Sequence, residues 1–181
     1  MSEPSVAGPL NLQSNDFALF GLSERFEQDR ATLDQRWKDL QRQVHPDRFA
    51  ADAATAQRLA MQWSVRINEA YQRLKNPLKR AAYLCELRGV PVQAENNTAM
   101  PAAFLMQQME WREALEDASS ADELLALEAQ THAAAREWTA QVAQALDADQ
   151  DPARAAQGVR ALMFVERFAS EVADRLDQQG Q

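Results

Sequence analysis

The sequence predicts an all-α protein, and three observations lead to this prediction. Of its 181 residues, 34 are Ala, whereas the β-branched residues Val, Ile and Thr together number 15. Ala is the best helix former, and β-branched residues favour strands. Apolar residues recur every three or four positions over long stretches, which is the spacing of one helix face. The seven prolines lie in a polar leader or between these stretches, where helices begin or end.

A glycine that ends one helix and an aspartate that begins the next predict the first two helices. A short helix fits Asp16 to Phe20 and ends at Gly21, because glycine readily adopts the left-handed conformation that follows a helix. A second helix is predicted from about Asp29 to Gln43. Its apolar stripe consists of Leu33, Trp37, Leu40 and Val44.

The next two helices are predicted on either side of a proline. One spans about Asp52 to Lys75 and ends just before Pro77; its stripe consists of Leu59, Trp63, Ile67, Ala70 and Leu74. The other covers Leu78 to Arg88 and ends at Gly89. The polar stretch from Val90 to Met100 then indicates a linker.

Three longer helices are predicted in the C-terminal half. The first covers about Pro101 to Asp117. The second begins at Ser120, which starts a capping-box pattern with Glu123, and extends to about Ala148. The third begins at Asp151-Pro152 and extends to about Leu176. Because the connections are short, these helices are antiparallel neighbours, and a three-helix bundle is the simplest arrangement.

The charge of the chain is distributed unevenly. The protein has 19 Lys and Arg against 27 Asp and Glu, which gives a net charge of −8. Residues 1–83 carry 12 basic and 10 acidic side chains, whereas residues 84–181 carry 7 and 17. The two halves are therefore expected to prefer different partners. Nucleic-acid binding is disfavoured, because it normally needs a strongly basic stripe and the pI is near 4.8.

We expect a cytoplasmic protein without a metal or other cofactor. No apolar run approaches the roughly 20 residues that span a bilayer. Residues 1–24 contain no Lys or Arg, so they resemble neither a secretory signal nor a transit peptide. Cys85 is the only cysteine and is predicted to be a small buried hydrophobe. His132 has no second ligand one helical turn away, so it is predicted to be structural or exposed.

A His-Pro-Asp triplet, His45-Pro46-Asp47, lies between the second and third predicted helices. Pro46 ends the helix and leaves the two flanking polar side chains on an exposed turn. Lys38 and Arg42 precede the triplet and lie about 140° and 180° around the helix from Leu33, opposite the apolar stripe. The two cations form either part of a binding surface or an ordinary solvated helix face.

This helical hairpin resembles a J domain, the module that activates ATPase chaperones of the DnaK class. The resemblance covers about residues 15–85 and rests on Phe17-Ala-Leu-Phe-Gly-Leu22, the Trp37–Val44 helix, the triplet, and Ile67-Asn-Glu-Ala-Tyr71. It implies that His45, Pro46 and Asp47 engage the chaperone and speed its ATP hydrolysis. It also implies that Lys38 and Arg42 contact an acidic surface of the chaperone.

The first helix of the C-terminal half has two apolar faces. Its core stripe consists of Phe104, Gln108, Trp111 and Leu115, and a separate arc of about 140° contains Leu105, Met106, Met109, Glu110 and Glu113. Leu and Met mixed with acids on an outer face indicate either a wider core or a binding patch. On the last helix, Phe164 lies roughly 100° from the stripe formed by Ala161, Val165, Phe168, Val172 and Leu176. Phe164 therefore either widens the core or joins the patch.

The whole chain resembles the HscB family, J-type co-chaperones of iron–sulfur cluster assembly. The additional matches are Phe104-Leu-Met, Arg112-Glu and Arg80-Ala-Ala-Tyr-Leu84. The resemblance implies that the C-terminal bundle binds an IscU-type cluster scaffold through Leu105, Met106, Met109, Glu110, Glu113 and Phe164. The sequence departs from the family pattern at Met109, where Leu is usual, and at Trp111, where an aliphatic residue is usual.

These observations predict an adaptor with four parts: a flexible leader over residues 1–14, a J domain over 15–89, a linker over 90–100 and a scaffold-binding bundle over 101–177. The resemblance implies that the protein delivers an IscU-type scaffold to an HscA-type chaperone and stimulates the chaperone ATPase. It would thereby promote cluster transfer and the maturation of iron–sulfur proteins. We expect no enzymatic activity, no membrane partner, and a monomer or weak dimer.

Two other functions are compatible with parts of the sequence. The chain could be an enzyme that uses His45 and Asp47 as acid and base, but it has neither a Gly-rich phosphate loop nor a nucleophile–base motif. Alternatively, it is a J-domain co-chaperone for a different client. That second alternative keeps the J-domain face and changes only the partner of the bundle.

Overall fold

The computed structural model describes residues 11–45, 47, 54–93 and 99–179, and every regular element in these ranges is helical. No strand occurs among these residues, so the all-α prediction is confirmed. None of the helices described is long and apolar enough to cross a membrane. The chain divides into two compact units, Met1–Arg80 and Ala81–Gln181, which are described separately below.

The N-terminal helices have the predicted order and nearly the predicted ends. They are α1 (Asp16–Phe20), α2 (Arg30–Val44), α3 (Ala54–Lys75) and α4 (Pro77–Leu87). The Asn15 side chain accepts a hydrogen bond from the backbone of Ala18 at the start of α1, and Gly21 ends this helix with φ +61°. The Asp29 side chain caps α2 in the same way through the backbone N–H of Thr32. The predicted start of α3 at Asp52 lies outside the described residues.

A buried carboxylate joins α1 to α3. The Asp16 side chain is fully buried and accepts hydrogen bonds from Arg66 at 2.7 Å and Arg73 at 2.9 Å. Arg66 also donates to the backbone carbonyls of Leu12 and Ser14. Burial of a charge is tolerated where it is paired and hydrogen-bonded, as it is here. These bonds therefore attach both α1 and the segment that precedes it to α3.

Polar contacts set the register between α2 and α3. The Trp37 ring stacks on Tyr71 at a centroid distance of 4.8 Å, and its indole N–H donates to Asn68. Gln41 donates to Asn68 and accepts a hydrogen bond from the Ser64 hydroxyl. Of the predicted apolar stripe on α2, the structure buries Leu33 completely and the other three residues only partly. An indole N–H needs a polar partner, which explains why Trp37 lies at the edge of the interface.

The C-terminal unit contains the predicted three long helices, α5 (Ala102–Asp117), α6 (Ala121–Ala143) and α7 (Pro152–Gln179). Both hydrogen bonds of the predicted capping box are present: the Ser120 side chain accepts from the backbone N–H of Glu123, and the Glu123 carboxylate accepts from the backbone N–H of Ser120. The last turn predicted for α6 is a π-helical segment, Gln144–Ala148. The core stripes predicted for α5 and α7 are confirmed, because their large apolar residues are buried or packed against the core cluster.

The end of α4 belongs with the C-terminal unit. Arg88 donates a hydrogen bond to the carbonyl of Leu146 at 2.6 Å, and Arg160 donates to the carbonyl of Val92 at 3.0 Å. Cys85 is fully buried, as predicted, and burial raises the pKa of its thiol to about 11. The two compact units divide within α4, and the domain boundary that the sequence places at the linker over residues 90–100 stays a prediction.

The close approach of α6 and α7 requires a glycine at position 158. A Cβ atom added to Gly158 would lie 2.6 Å from Cγ2 of the buried Val142. Gly158→Ala is expected to lower the free energy of unfolding by about 1–2 kcal/mol, because overpacking costs about 1–3 kcal/mol and Ala returns up to about 1 kcal/mol of helix propensity. Urea unfolding measures this change. Adding Val142→Ala should cost less than the sum of the single changes, and a Gly158→Ala variant as stable as the wild type would contradict the prediction.

Candidate functional site

The polar side chains at the hairpin tip are exposed. His45 caps the C-terminal end of α2, and its Nδ1 accepts a hydrogen bond of 3.3 Å from the backbone N–H of Asp47. The Oδ2 atom of Asp47 lies 3.5 Å from the same nitrogen, and the two side chains are 55% and 89% exposed. Pro46 lies outside the described residues. The Asp47 carboxylate at the tip is therefore exposed to solvent, and the neighbouring His45 imidazole does not cover it.

The two cations predicted beside this tip both lie on the exposed face of α2. The Arg42 side chain is 73% exposed, and its Nη1 lies 3.4 Å from Oδ1 of Asp39. The pKa of Asp34 is lowered mainly by hydrogen bonds from Tyr71 and Arg30, with a smaller contribution from the charge of Lys38. Exposed ion pairs of this kind contribute little to stability. Both cations are exposed, and their contact with a partner stays a prediction.

The apolar face predicted on α5 is exposed. Leu105, Met106 and Met109 are 44%, 63% and 65% exposed, whereas Phe104 and Trp111 on the core stripe are buried. Exposed Met side chains suit a binding surface because they adapt to the shape of a partner. Of the two alternatives derived from the sequence, a wider core is therefore wrong for these three residues.

The six predicted scaffold-binding residues are divided between two grooves on either side of α5. The first, which we call the α5–α7 groove, has a volume of about 570 Å³. Four predicted residues line it together with three others; the full lining is Leu105, Gln108, Met109, Arg112, Glu113, Glu116 and Phe164. An apolar floor with acids at its margin is typical of a protein-binding groove.

The other two predicted residues, Met106 and Glu110, line a groove between α5 and α6 with a volume of about 730 Å³. We call it the α5–α6 groove. Gln130, Glu137 and Gln141 of α6 also line it, so it is more polar than the α5–α7 groove. The predicted patch is thus a ridge with two unlike sides rather than one continuous surface.

Phe164 contributes both to the core and to the α5–α7 groove. It is half-buried, and its ring lies edge-to-face with Phe104 at 5.7 Å and stacked with Phe168 at 5.9 Å between centroids. It also lines the groove beside Leu105 and Met109. Phe164 therefore packs against the core and also lines the groove beside the exposed patch, so each of the two alternatives derived from the sequence describes part of its environment.

Arg112 links α5 to α7 beside the groove, and no role is predicted for it from the sequence. Its guanidinium lies 5.7 Å from the Phe164 ring centroid and 5.1 Å from that of Phe168. It also forms an ion pair with Glu171 of α7. Stacking on aromatic faces and pairing with a carboxylate suit the planar guanidinium. The sequence signal is its spacing of three residues from Met109, which places it beside the patch.

The described residues contain no group of three or more His, Cys, Asp and Glu side chains placed to hold a metal ion. His132 is exposed on α6, which agrees with one of the two roles predicted for it. The features with recognisable chemistry are therefore the hairpin tip in the N-terminal unit and the two grooves beside α5 in the C-terminal unit.

A helical hairpin with His45 and Asp47 at an exposed tip, followed by a separate helical bundle, defines a J-domain co-chaperone. The family model described as the HSCB C-terminal oligomerisation domain matches residues 100–173. The co-chaperone protein HscB homolog of Burkholderia mallei (strain SAVP1) is 51% identical over 172 residues, which cover 93% of this chain and 98% of that protein. The corresponding protein of Burkholderia cenocepacia is 50% identical with the same coverage.

Two solved structures have the same fold. Chaperone HscB from Vibrio cholerae matches with a TM-score of 0.84 and 39% identity, over 91% of this chain and 99% of that chain. Human co-chaperone protein HscB matches with a TM-score of 0.81 and 26% identity, over 99% and 92%. The chain belongs to the HscB family of co-chaperones.

Proposed function

We propose that this protein is a cytoplasmic adaptor of iron–sulfur cluster assembly. It binds an IscU-type cluster scaffold, delivers the scaffold to an HscA-type chaperone and stimulates the ATPase of that chaperone. The observation that carries this proposal is the separation of two unlike surfaces: the exposed tip with its basic helix in one unit, and the apolar α5–α7 groove in the acidic unit. The adaptor itself does no covalent chemistry, in keeping with relatives that are named co-chaperones.

The hairpin tip is the proposed chaperone-binding surface. The carboxylate of Asp47 is 89% exposed, so it is accessible to accept hydrogen bonds from a chaperone arginine. Lys38 and Arg42 extend the surface along α2 with positive charge. This arrangement would steer an acidic chaperone surface toward the tip, and it predicts association that becomes slower as salt concentration rises.

The α5–α7 groove is the proposed centre of the scaffold-binding surface. Leu105, Met109 and Phe164 supply apolar area, and Glu113 supplies charge at the margin. Met106 and Glu110 would contact the scaffold only if it also covers the ridge of α5. Since a few central apolar residues usually carry most of the binding energy, the groove is expected to contribute more than the ridge.

Because one chain carries both proposed surfaces, it can deliver the scaffold to the chaperone. A bound scaffold is held near the chaperone at a high effective concentration, so the second binding event becomes intramolecular. Activation of ATP hydrolysis and presentation of the scaffold would then occur in the same complex. Release of the cluster would follow from the ATP-driven change in the chaperone.

We propose that the adaptor works as a monomer or a weak dimer. The description of the matching family model names oligomerisation for the region of residues 100–173. Both grooves beside α5 lie in this region, so a dimer that buried the α5–α7 groove would compete with the scaffold. Sedimentation velocity with and without scaffold would reveal such competition.

The ATPase rate of the cognate HscA-type chaperone tests the proposed function. We expect the full-length protein to raise this rate, and the scaffold to raise it further. Stimulation by the protein with no effect of scaffold would instead support a J-domain co-chaperone for a different client. If the wild-type protein does not stimulate the chaperone at all, the proposed function is wrong.

A further inference from the structure

The side chain of Arg112 crosses from α5 to α7 beside the α5–α7 groove. It follows Met109 by three residues and Leu105 by seven, so the three side chains lie on one face of α5, where all of them line the groove. Glu116, one turn further along the same helix, offers a partner close in sequence. The guanidinium nevertheless pairs with Glu171 of α7, with Nη1 donating to Oε2 and Nη2 donating to Oε1. The ion pair therefore joins the two helices that form the groove.

The same guanidinium lies over two aromatic rings of α7. Phe164, Phe168 and Glu171 follow one another at spacings of four and three residues, so they lie on one face of the helix. The guanidinium carbon is 5.7 Å from the ring centroid of Phe164 and 5.1 Å from that of Phe168. A cation is attracted to the face of an aromatic ring. Glu171 therefore holds the guanidinium where it contacts both rings.

Phe164 is also held by rings of the core. Its ring is nearly parallel to those of Trp111 and Phe168, with an interplanar angle of 9° in each pair, and both of these residues are buried. The Phe104 ring meets it edge-to-face at an angle of 87°. The Phe164 side chain, which lines the groove, is thus confined by core rings and by the guanidinium of Arg112.

We propose that Arg112 is a positioning residue for scaffold binding: held by Glu171, it fixes the Phe164 ring in the conformation that lines the α5–α7 groove. This inference rests on the proposed function. A side chain that becomes ordered only when a partner binds costs conformational entropy, and a ring that is already ordered avoids this cost. Arg112 would therefore strengthen scaffold binding through Phe164 rather than by binding the scaffold itself.

The surrounding charges disfavour a direct contact between Arg112 and the scaffold. The carboxylate of Glu171 accepts hydrogen bonds from both Nη atoms, so an acidic group of the scaffold would have to displace it. Glu113 and Glu116 also line the groove and would repel that acidic group. A role through Phe164 needs no such exchange of partners.

The first test measures the affinity of Arg112→Ala and Glu171→Gln for an IscU-type scaffold by isothermal titration calorimetry. We expect each variant to bind about 3- to 10-fold more weakly than the wild type, which corresponds to the cost of ordering one side chain. The two substitutions change the net charge in opposite directions, so a general electrostatic effect would move the two affinities in opposite directions. Arg136→Ala, which removes an exposed cation from α6, is the matched control and should bind like the wild type.

The effect of Glu171→Gln separates positioning from direct contact. Glu171 lines a smaller groove beside Leu115. If Arg112 bound the scaffold directly, freeing it from Glu171 would leave the affinity unchanged or raise it. Either result would overturn the proposal.

The second test asks whether Arg112 acts through the ring of Phe164. Phe164→Leu keeps an apolar side chain in the groove but offers no ring to the guanidinium. In this background, we expect Arg112→Ala to change the scaffold affinity by less than about 2-fold, because the interaction that it removes is already absent. Urea unfolding verifies that all variants are folded. If Arg112→Ala costs the same factor with and without the ring, the proposal is wrong.

The third test observes the ring without any scaffold. Para-fluorophenylalanine placed at Phe164 of the full chain gives a fluorine NMR signal that depends on the surroundings of the ring. Arg112→Ala and Glu171→Gln should shift this signal in the same direction, toward its position in the unfolded protein, and Arg136→Ala should not. A signal that neither of the first two variants moves would overturn the proposal.

Failure of this inference can be told apart from failure of the proposed function. If the wild type binds the scaffold and both Arg112→Ala and Glu171→Gln bind it equally well, only the role of Arg112 is overturned. If the wild type does not bind the scaffold, the proposed function fails and this inference fails with it.

Discussion

Asp47→Asn is expected to abolish stimulation of the chaperone ATPase. The substitution keeps the shape of the side chain and removes the charge that a chaperone arginine would bind. Loss of one partner of a hydrogen-bonded charge pair at an interface costs about 2–5 kcal/mol, which is at least about 30-fold in affinity. At co-chaperone concentrations that just saturate the effect of the wild type, the ATPase rate should therefore stay near its basal value.

The fold should not change, so the loss would report on binding alone. The Asp47 side chain is 89% exposed, and substitutions at such positions usually shift the free energy of unfolding by no more than about 0.5 kcal/mol. Scaffold binding should likewise be unchanged. Asp177→Asn, which removes an exposed charge from α7, is the matched control and should stimulate normally. Undiminished stimulation by Asp47→Asn would show that the tip carboxylate does not activate the chaperone.

Helix ends were predictable from the sequence because their causes are local. Gly21 at the end of α1 and Ser120 at the start of α6 lie where the sequence predicts them. Each acts within a few residues: glycine accepts a positive φ, and a serine hydroxyl reaches the third backbone N–H of its own helix. The sequence of a few neighbouring residues is therefore enough to predict such contacts.

The π-helical segment and the packing of the end of α4 were not predictable, because both involve contacts distant in sequence. Arg88 binds the carbonyl of Leu146 within Gln144–Ala148, and Arg160 binds that of Val92. No local sequence pattern predicts these two hydrogen bonds. The sequence therefore extends α6 as an ordinary α-helix and does not reveal the partner of Arg88.

The candidate groove was predictable in composition but not in shape. A helical wheel correctly separates Met109 from Trp111, since one is exposed and the other buried. It does not show where α6 and α7 lie relative to the exposed arc of α5. That placement puts Met106 in one groove and Leu105 in the other. It also brings Arg112 over the ring of Phe164, a contact between helices far apart in sequence.

The division of the predicted patch leads to a sharper test of scaffold binding. Leu105→Ala/Met109→Ala removes the apolar floor of the α5–α7 groove and leaves the α5–α6 groove intact. Met106→Ala/Glu110→Ala does the reverse and is the matched control, because Met106 and Met109 are almost equally exposed. Phe164→Ala is less informative, since its ring also packs against Phe104 and Phe168. Its effect on binding would be mixed with a loss of stability.

We expect Leu105→Ala/Met109→Ala to weaken scaffold binding about 30- to 1000-fold, because central apolar residues of an interface cost about 2–4 kcal/mol when truncated. Isothermal titration calorimetry with the scaffold measures this change directly. The variant should still stimulate the chaperone when scaffold is absent, since the tip lies in the other compact unit, but the additional stimulation by scaffold should disappear. The control variant should lose less than about 5-fold. A larger loss from Met106→Ala/Glu110→Ala would move the scaffold site to the α5–α6 groove, and equal small losses would place it away from α5 altogether.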